Sequence, residues 1–195
     1  MIVLGLTGSI GTGKSTTAEM FRAFGVPVHD ADATVHDLYR REAVAPVAAR
    51  FPEVLADGVI DRKALSATLA ASPERFAELE AIIHPLVRAR ETAFLDAERE
   101  RGTPLVLLDI PLLYETGGEK RVDKVVVVTC DPQTQRQRVL ARPGMTEEKF
   151  ALILSRQMPD AEKRKRADFI VHTDEGLEAA RKQVEEVIRA VAAKA

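Results

Sequence analysis

Leu6-Thr7-Gly8-Ser9-Ile10-Gly11-Thr12-Gly13-Lys14-Ser15 is the stretch from which the fold can be read. An apolar run, Ile2 to Thr7, precedes the glycines, and Ala18, Phe21 and Phe24 keep helical spacing after them until Gly25 ends the pattern. Strand, glycine-rich loop and helix in that order match the Walker A pattern, in which backbone N–H groups close around phosphate oxygens at a helix N-terminus. Gly8, Gly11, Thr12, Gly13, Lys14, Ser15 and Thr16 are therefore the candidate ATP-binding residues. In this pattern Lys14 reaches the β- and γ-phosphates and the Ser15 hydroxyl holds Mg²⁺.

Outward from this stretch, Val26 to His29, Pro104 to Ile110, Lys124 to Thr129 and Phe169 to His172 are further short apolar runs separated by amphipathic segments. Strands that are apolar on both faces and alternate with helices predict an α/β fold, a doubly wound parallel sheet, with ligands at the carboxyl ends of the strands. From Gly58 to Arg101 the pattern reads as helical throughout, with no strand, and Leu65, Leu69, Phe76, Leu79, Ile83 and Phe94 are among its expected buried positions. That is long for one crossover, so it reads as a helical insertion able to hold a second substrate. Residues 136–165 are rich in Arg and Lys and contain Pro143-Gly144, as a lid does. The expected organisation is one P-loop domain: core 1–57, 102–135 and 166–195, acceptor-binding insertion about 58–101, and lid about 136–165.

The chain has 195 residues, 30% of them charged and 46% hydrophobic, which is the composition of a packed domain. With 28 Lys and Arg against 30 Asp and Glu, the formal charge of −2 gives no global field for nucleic acid or an anionic membrane. Tyr39 and Tyr114 are too scattered for a base-stacking platform. No apolar run approaches the roughly 20 residues of a spanning helix, and the one cysteine, Cys130, reads as a buried free thiol. The expectation is a cytoplasmic protein without nucleic-acid or membrane partners, monomeric or a small homo-oligomer.

Four further groups carry candidate chemistry. Asp30 and Asp32 follow the second expected strand; either could accept a proton from a substrate hydroxyl, and either could cap the next helix. Asp109 closes a hydrophobic strand as a Walker B carboxylate does, which makes it, with Ser15, the candidate Mg²⁺ contact. Arg136, Arg138, Arg142 and Arg156 lie in the expected lid, where guanidinium groups clamp a transferring phosphoryl. His29, His36, His84 and His172 show no metal-ligand spacing, and at His84-Pro85 the proline predicts an extended or turned backbone that re-aims a helix.

These segments together resemble the dephospho-CoA kinase family over nearly the whole chain. The resemblance rests on Leu6 to Ser15, on Asp30-Ala31-Asp32 with His36, and on Gly58-Val59-Ile60-Asp61-Arg62. Further on it rests on Leu79-Glu80 with Ile83-His84-Pro85, on Pro111-Leu112-Leu113-Tyr114-Glu115, on Gln135, Arg138 and Arg142, on Arg156-Gln157, and on Ala167-Asp168. It implies transfer of phosphate from ATP to the ribose 3′-hydroxyl of dephospho-CoA, the last step of coenzyme A synthesis. It also implies an architecture similar to nucleoside monophosphate kinases. On that reading Asp32 is the base, with Lys14, Arg138 and Arg142 the other catalytic residues. His84, Pro85, Leu112 and Leu113 join Asp32 in holding the acceptor. One departure is Thr173, beside His172, where the family usually has Asn; an adenine contact from that position loses the paired geometry of an amide.

Two other functions compete. The same core serves kinases for other small acceptors, such as a nucleoside monophosphate or shikimate. A nucleotide sensor or assembly ATPase would hydrolyse ATP without a small acceptor, and would not need an acid opposite the loop. A GTPase switch reads guanine through an Asn-Lys-x-Asp segment, which a chain without asparagine lacks.

Overall fold

In the computed structural model, which describes residues 1–192, the chain opens with β1 (Ile2–Gly8), α1 (Lys14–Ala23) and β2 (Val28–Asp30). There follow α2 (Ala31–Leu38), α3 (Val44–Arg50), β3 (Leu55–Ala56), β4 (Val59–Ile60), α4 (Arg62–Ala71) and α5 (Phe76–Glu100). The remainder is β5 (Leu105–Asp109), β6 (Lys124–Thr129), α6 (Pro132–Leu140), α7 (Glu147–Ser155), α8 (Asp160–Arg166), β7 (Phe169–His172) and α9 (Leu177–Ala192). The chain divides into two units, Met1–His29 with Glu98–Ala195, and Asp30–Ala97.

The first unit is built on a sheet of order β2-β5-β1-β6-β7. β1 runs parallel to both neighbours, and β6 parallel to β7. β5 is buried along its whole length and β6 from Val125 on, as strands covered on both faces must be. Leu4, Leu6, Leu107, Val126, Val128 and Val171 pack with Phe21 of α1 and Val184 and Val187 of α9 into its core. The register sets Leu6 opposite Asp109 and Gly8 opposite Val128, so the loop leaving β1 emerges at the strands' carboxyl edge beside the ends of β5 and β6. The expected doubly wound parallel sheet is the one observed.

The second unit has its own core, Leu38, Val47, Phe51, Val54, Leu65, Leu69, Leu79 and Ile83 among others, drawn from α2 to α5. Three local expectations fail here. Val59–Ile60 is a strand, paired antiparallel with Leu55–Ala56 around Asp57-Gly58, both at positive φ. The apolar spacing hid this two-residue hairpin inside a helical stretch. Phe76 is 41% exposed, because it opens α5 rather than lying along its packed face. Pro85 does not turn the chain: α5 runs 25 residues straight through it. A proline removes one backbone donor from a helix, and here burial of Leu79 and Ile83, with Ile82, Leu86 and Val87 packed against the same core, outweighs that loss.

Candidate active site

The loop between β1 and α1 owes its shape to two glycines in the left-handed region, Gly11 (φ 80°) and Gly13 (φ 95°), the second of which is the N-cap of α1. A Cβ on Gly11 would sit 2.4 Å from Cγ2 of Val139 and one on Gly13 3.1 Å from Oγ1 of Thr173. Only glycine therefore allows both the turn and the packing against α6 and the end of β7. Thr12 Oγ1 donates to Ser9 O at 2.9 Å and so cross-braces the loop internally.

Lys14 and Asp109 meet. Nζ of Lys14 is 2.6 Å from Oδ1 of Asp109, with the lysine side chain 15% and the aspartate 2% exposed. The phosphate-loop lysine and the β5 carboxylate thus share one place at the sheet's carboxyl edge. Ser15 and Thr16 lie exposed in the first turn of α1. Thr7, wholly buried, donates from Oγ1 to Pro111 O at 2.9 Å and ties the end of β1 to the segment after β5.

A cavity of about 310 Å³ opens beside the loop, bounded by Gly11, Gly13, Thr16, Thr17, Arg138 and Arg142, with Met20, Leu177 and Ala180 supplying its apolar side. Thr173 also lines it. Its Oγ1 donates to Thr12 O at 2.6 Å and accepts from Nη1 of Arg138 at 2.8 Å, while Nη2 of Arg138 donates to Thr173 O at 2.8 Å. A hydroxyl carries one proton, so Thr173 is committed to the loop and to α6 as a brace. Cys130 sits behind the loop, its Sγ 4.0 Å from Gly11 O, and burial pushes its thiol above the ordinary value against the opposing pull of Arg138.

The other expected acceptor residues fall in different places. In the first unit Leu112 is 40% exposed, whereas Leu113 is fully buried over Gly5 and Gly118. In the second unit Asp30 is the N-cap of α2 and accepts from Ala33 N at 2.9 Å, which leaves Asp32 as the exposed carboxylate of the pair. His84 and Pro85 are exposed on α5. Arg136 is paired with Glu147 across α6 and α7.

The structure adds residues to which the spacing gave no role. Gln135 Nε2 donates to Ile10 O at 2.7 Å and Ile10 N donates to Gln157 Oε1 at 3.0 Å, so two glutamines hold the loop's Ile10 by its own peptide groups. Both stand in the segments carrying the family resemblance, but only the fold brings positions 125 and 147 residues away onto Ile10.

Comparison with known proteins gives the family. A family model described as CoaE, dephospho-CoA kinase, matches residues 2–179. A dephospho-CoA kinase of Rhizobium meliloti is 62% identical over 188 residues, covering 96% of this chain and 97% of that protein. The crystal structure of TT1252 from Thermus thermophilus superposes with a TM-score of 0.83 at 37% identity, covering 97% of this chain and 96% of that one. The dephospho-CoA kinase from Campylobacter jejuni gives a TM-score of 0.74 at 26% identity, with 97% and 96% covered. A P-loop whose lysine is seated on a strand-end aspartate, on a doubly wound parallel sheet, and a family match over nearly the full length lead to one conclusion: this chain is a kinase belonging to the dephospho-CoA kinase family.

Proposed function

We propose that the chain transfers the γ-phosphoryl group of ATP to the ribose 3′-hydroxyl of dephospho-CoA, giving coenzyme A and ADP in the cytoplasm. The observation that carries the nucleotide half is the junction of the glycine loop, the Lys14–Asp109 pair and the adjoining 310 Å³ cavity. ATP phosphates lie along the loop's N–H groups with Lys14 at the β- and γ-phosphates, and the nucleoside enters the cavity between Arg138 and the start of α9. Arg138 and Arg142 then stand where they can neutralise charge on the transferring group, once the bonds from Arg138 to Thr173 are exchanged.

Mg²⁺ suits the donors present. Ser15 offers a hydroxyl and Asp109 a carboxylate, both hard oxygen ligands, and among the described residues no group of three or more His, Cys, Asp or Glu forms a cage. That is the pattern of a cation bound through one or two protein oxygens, substrate phosphates and water. Bound there, the ion would draw charge from the β- and γ-phosphate oxygens. Lys14 orients the same phosphates and Asp109 holds Lys14.

In the second unit, residues 30–97 serve as the acceptor-binding part, with His84 and Pro85 among its contacts. Asp32 takes the proton from the 3′-hydroxyl, because capping occupies Asp30 and leaves Asp32 exposed in the first turn of α2. A coupled ADP-release assay with dephospho-CoA, AMP and shikimate as sole acceptors tests the reading. Turnover with dephospho-CoA alone is expected, and equal rates with AMP or shikimate would defeat it.

A further inference from the structure

Lys163 on α8 has a fully buried side chain. Its Nζ lies 2.9 Å from Oε1 of Glu115, too obliquely to count as a directed hydrogen bond, and the pair is 0% and 16% exposed. Burying two charges this way usually stabilises a fold no better than an apolar pair of the same volume, so packing alone gives no reason for it. The same Oε1 of Glu115 accepts from Met158 N at 2.7 Å. Met158 follows Gln157, whose Oε1 accepts from the N–H of Ile10 in the phosphate loop. From Lys163 to the loop there is therefore a continuous relay: ammonium, carboxylate, backbone amide of residue 158, side-chain amide of residue 157, backbone amide of residue 10.

We infer that Glu115, fixed by Lys163, is a positioning residue for nucleotide binding: it holds the 157–158 peptide so that Gln157 keeps the Ile10 N–H pointed away from the phosphate cradle and the loop in its binding shape. Residues 111–115 thereby reach the nucleotide side of the reaction as well. Thr7 and Pro111 anchor the start of this segment to β1, so Glu115 is referenced to the same strand from which the loop emerges. The carboxylate does not touch a reacting atom; it acts through Gln157. The inference rests on the reading that the loop binds the phosphates of ATP.

The test is calorimetric binding of ADP with Mg²⁺, which needs no acceptor, combined with kinetic KM values for ATP and dephospho-CoA and a melting temperature for each variant. Gln157→Ala leaves the part-buried Ile10 N–H without its partner and should weaken ADP binding about tenfold, while the KM for dephospho-CoA stays put. The apolar pair Glu115→Leu with Lys163→Met removes both charges and the acceptor for Met158, and should reproduce the same loss. Glu115→Gln with Lys163→Met keeps a carbonyl for Met158 N–H and should bind ADP within about twofold of wild type. Adding Gln157→Ala to the apolar pair should cost nothing further, since both act on one contact. Should the apolar pair fail to fold, Glu115→Asp keeps both charges and withdraws the acceptor by one methylene, and its ADP affinity must fall. Wild-type ADP affinity in folded Glu115→Leu/Lys163→Met or in Glu115→Asp, multiplicative losses with Gln157→Ala, or equal damage to both substrates would overturn the inference. A wild-type chain that does not bind ADP would remove the nucleotide reading and this inference together.

Discussion

Nζ of Lys14 lies 2.6 Å from Oδ1 of Asp109, and through this contact the phosphate loop is anchored to the strand next to its own. The lysine is thus held at the sheet edge before any phosphate arrives, and little reorganisation is left for the moment of binding. Lys14→Ala is expected to lower kcat by about 10²- to 10³-fold and, because it removes a partner from a carboxylate 2% exposed, to lower the melting temperature as well. Lys14→Ala with Asp109→Asn should recover the melting temperature and not the turnover. Near-wild-type turnover in folded Lys14→Ala would remove the loop from the mechanism.

Gly11 admits no side chain. Gly11→Ala combines φ 80° with a Cβ 2.4 Å from Val139, and should destabilise the fold by about 2 kcal/mol or more. Adding Val139→Ala should relieve the clash and leave the backbone strain, and with Val139→Ala alone as the control for the cavity it opens, denaturant melts separate the two contributions.

Thr173 braces Thr12 and Arg138 with one hydroxyl. Thr173→Val keeps the shape and leaves Thr12 O without that donor, which costs about 1–3 kcal/mol if nothing replaces it. Thr173→Ser should restore both stability and ATP affinity. Equal behaviour of the Val and Ser variants in melting and in ATP KM would show that the hydroxyl has no bracing role.

Cys130 titrates above the ordinary thiol value, chiefly through burial. Because a raised pKa means less thiolate at a given pH, iodoacetamide alkylation at neutral pH should be slower than for a free thiol. The rate should climb only as the pH passes the ordinary thiol range. Fast labelling at neutral pH, followed by mass spectrometry, would contradict this placement of the thiol.

Asp32→Asn keeps size and removes basicity, so kcat should fall by about 10²- to 10⁴-fold with modest changes in KM. Asp30→Asn keeps an acceptor for Ala33 N and hence the cap, so it should leave both stability and kcat near wild type. If the kcat loss appears in Asp30→Asn instead, the two roles are exchanged.

The parallel sheet and the loop were legible because each rests on local signals, apolar runs and a glycine pattern fixed by backbone geometry. The Lys14–Asp109 contact was half legible: both residues stood out, but the parallel register of β1 and β5 is what joins them. Gln135, Gln157, Glu115 and Lys163 gave no clue to their roles because polar residues 43 to 147 positions away from their partners carry no periodicity. Pro85 misled for the opposite reason: its local preference is real, and packing around Ile83 overrode it. Thr173 stood out only as a departure from the resembled family's Asn, and the geometry adds what the sequence could not, that its single proton goes to Thr12 O.

The most direct test of the account is the identity of the product. The purified chain with ATP, Mg²⁺ and dephospho-CoA should yield one equivalent of ADP per coenzyme A formed, with the new phosphate on the ribose 3′-oxygen by ³¹P NMR. ADP release that proceeds at the same rate without dephospho-CoA, or a phosphate found on any other oxygen, would contradict it.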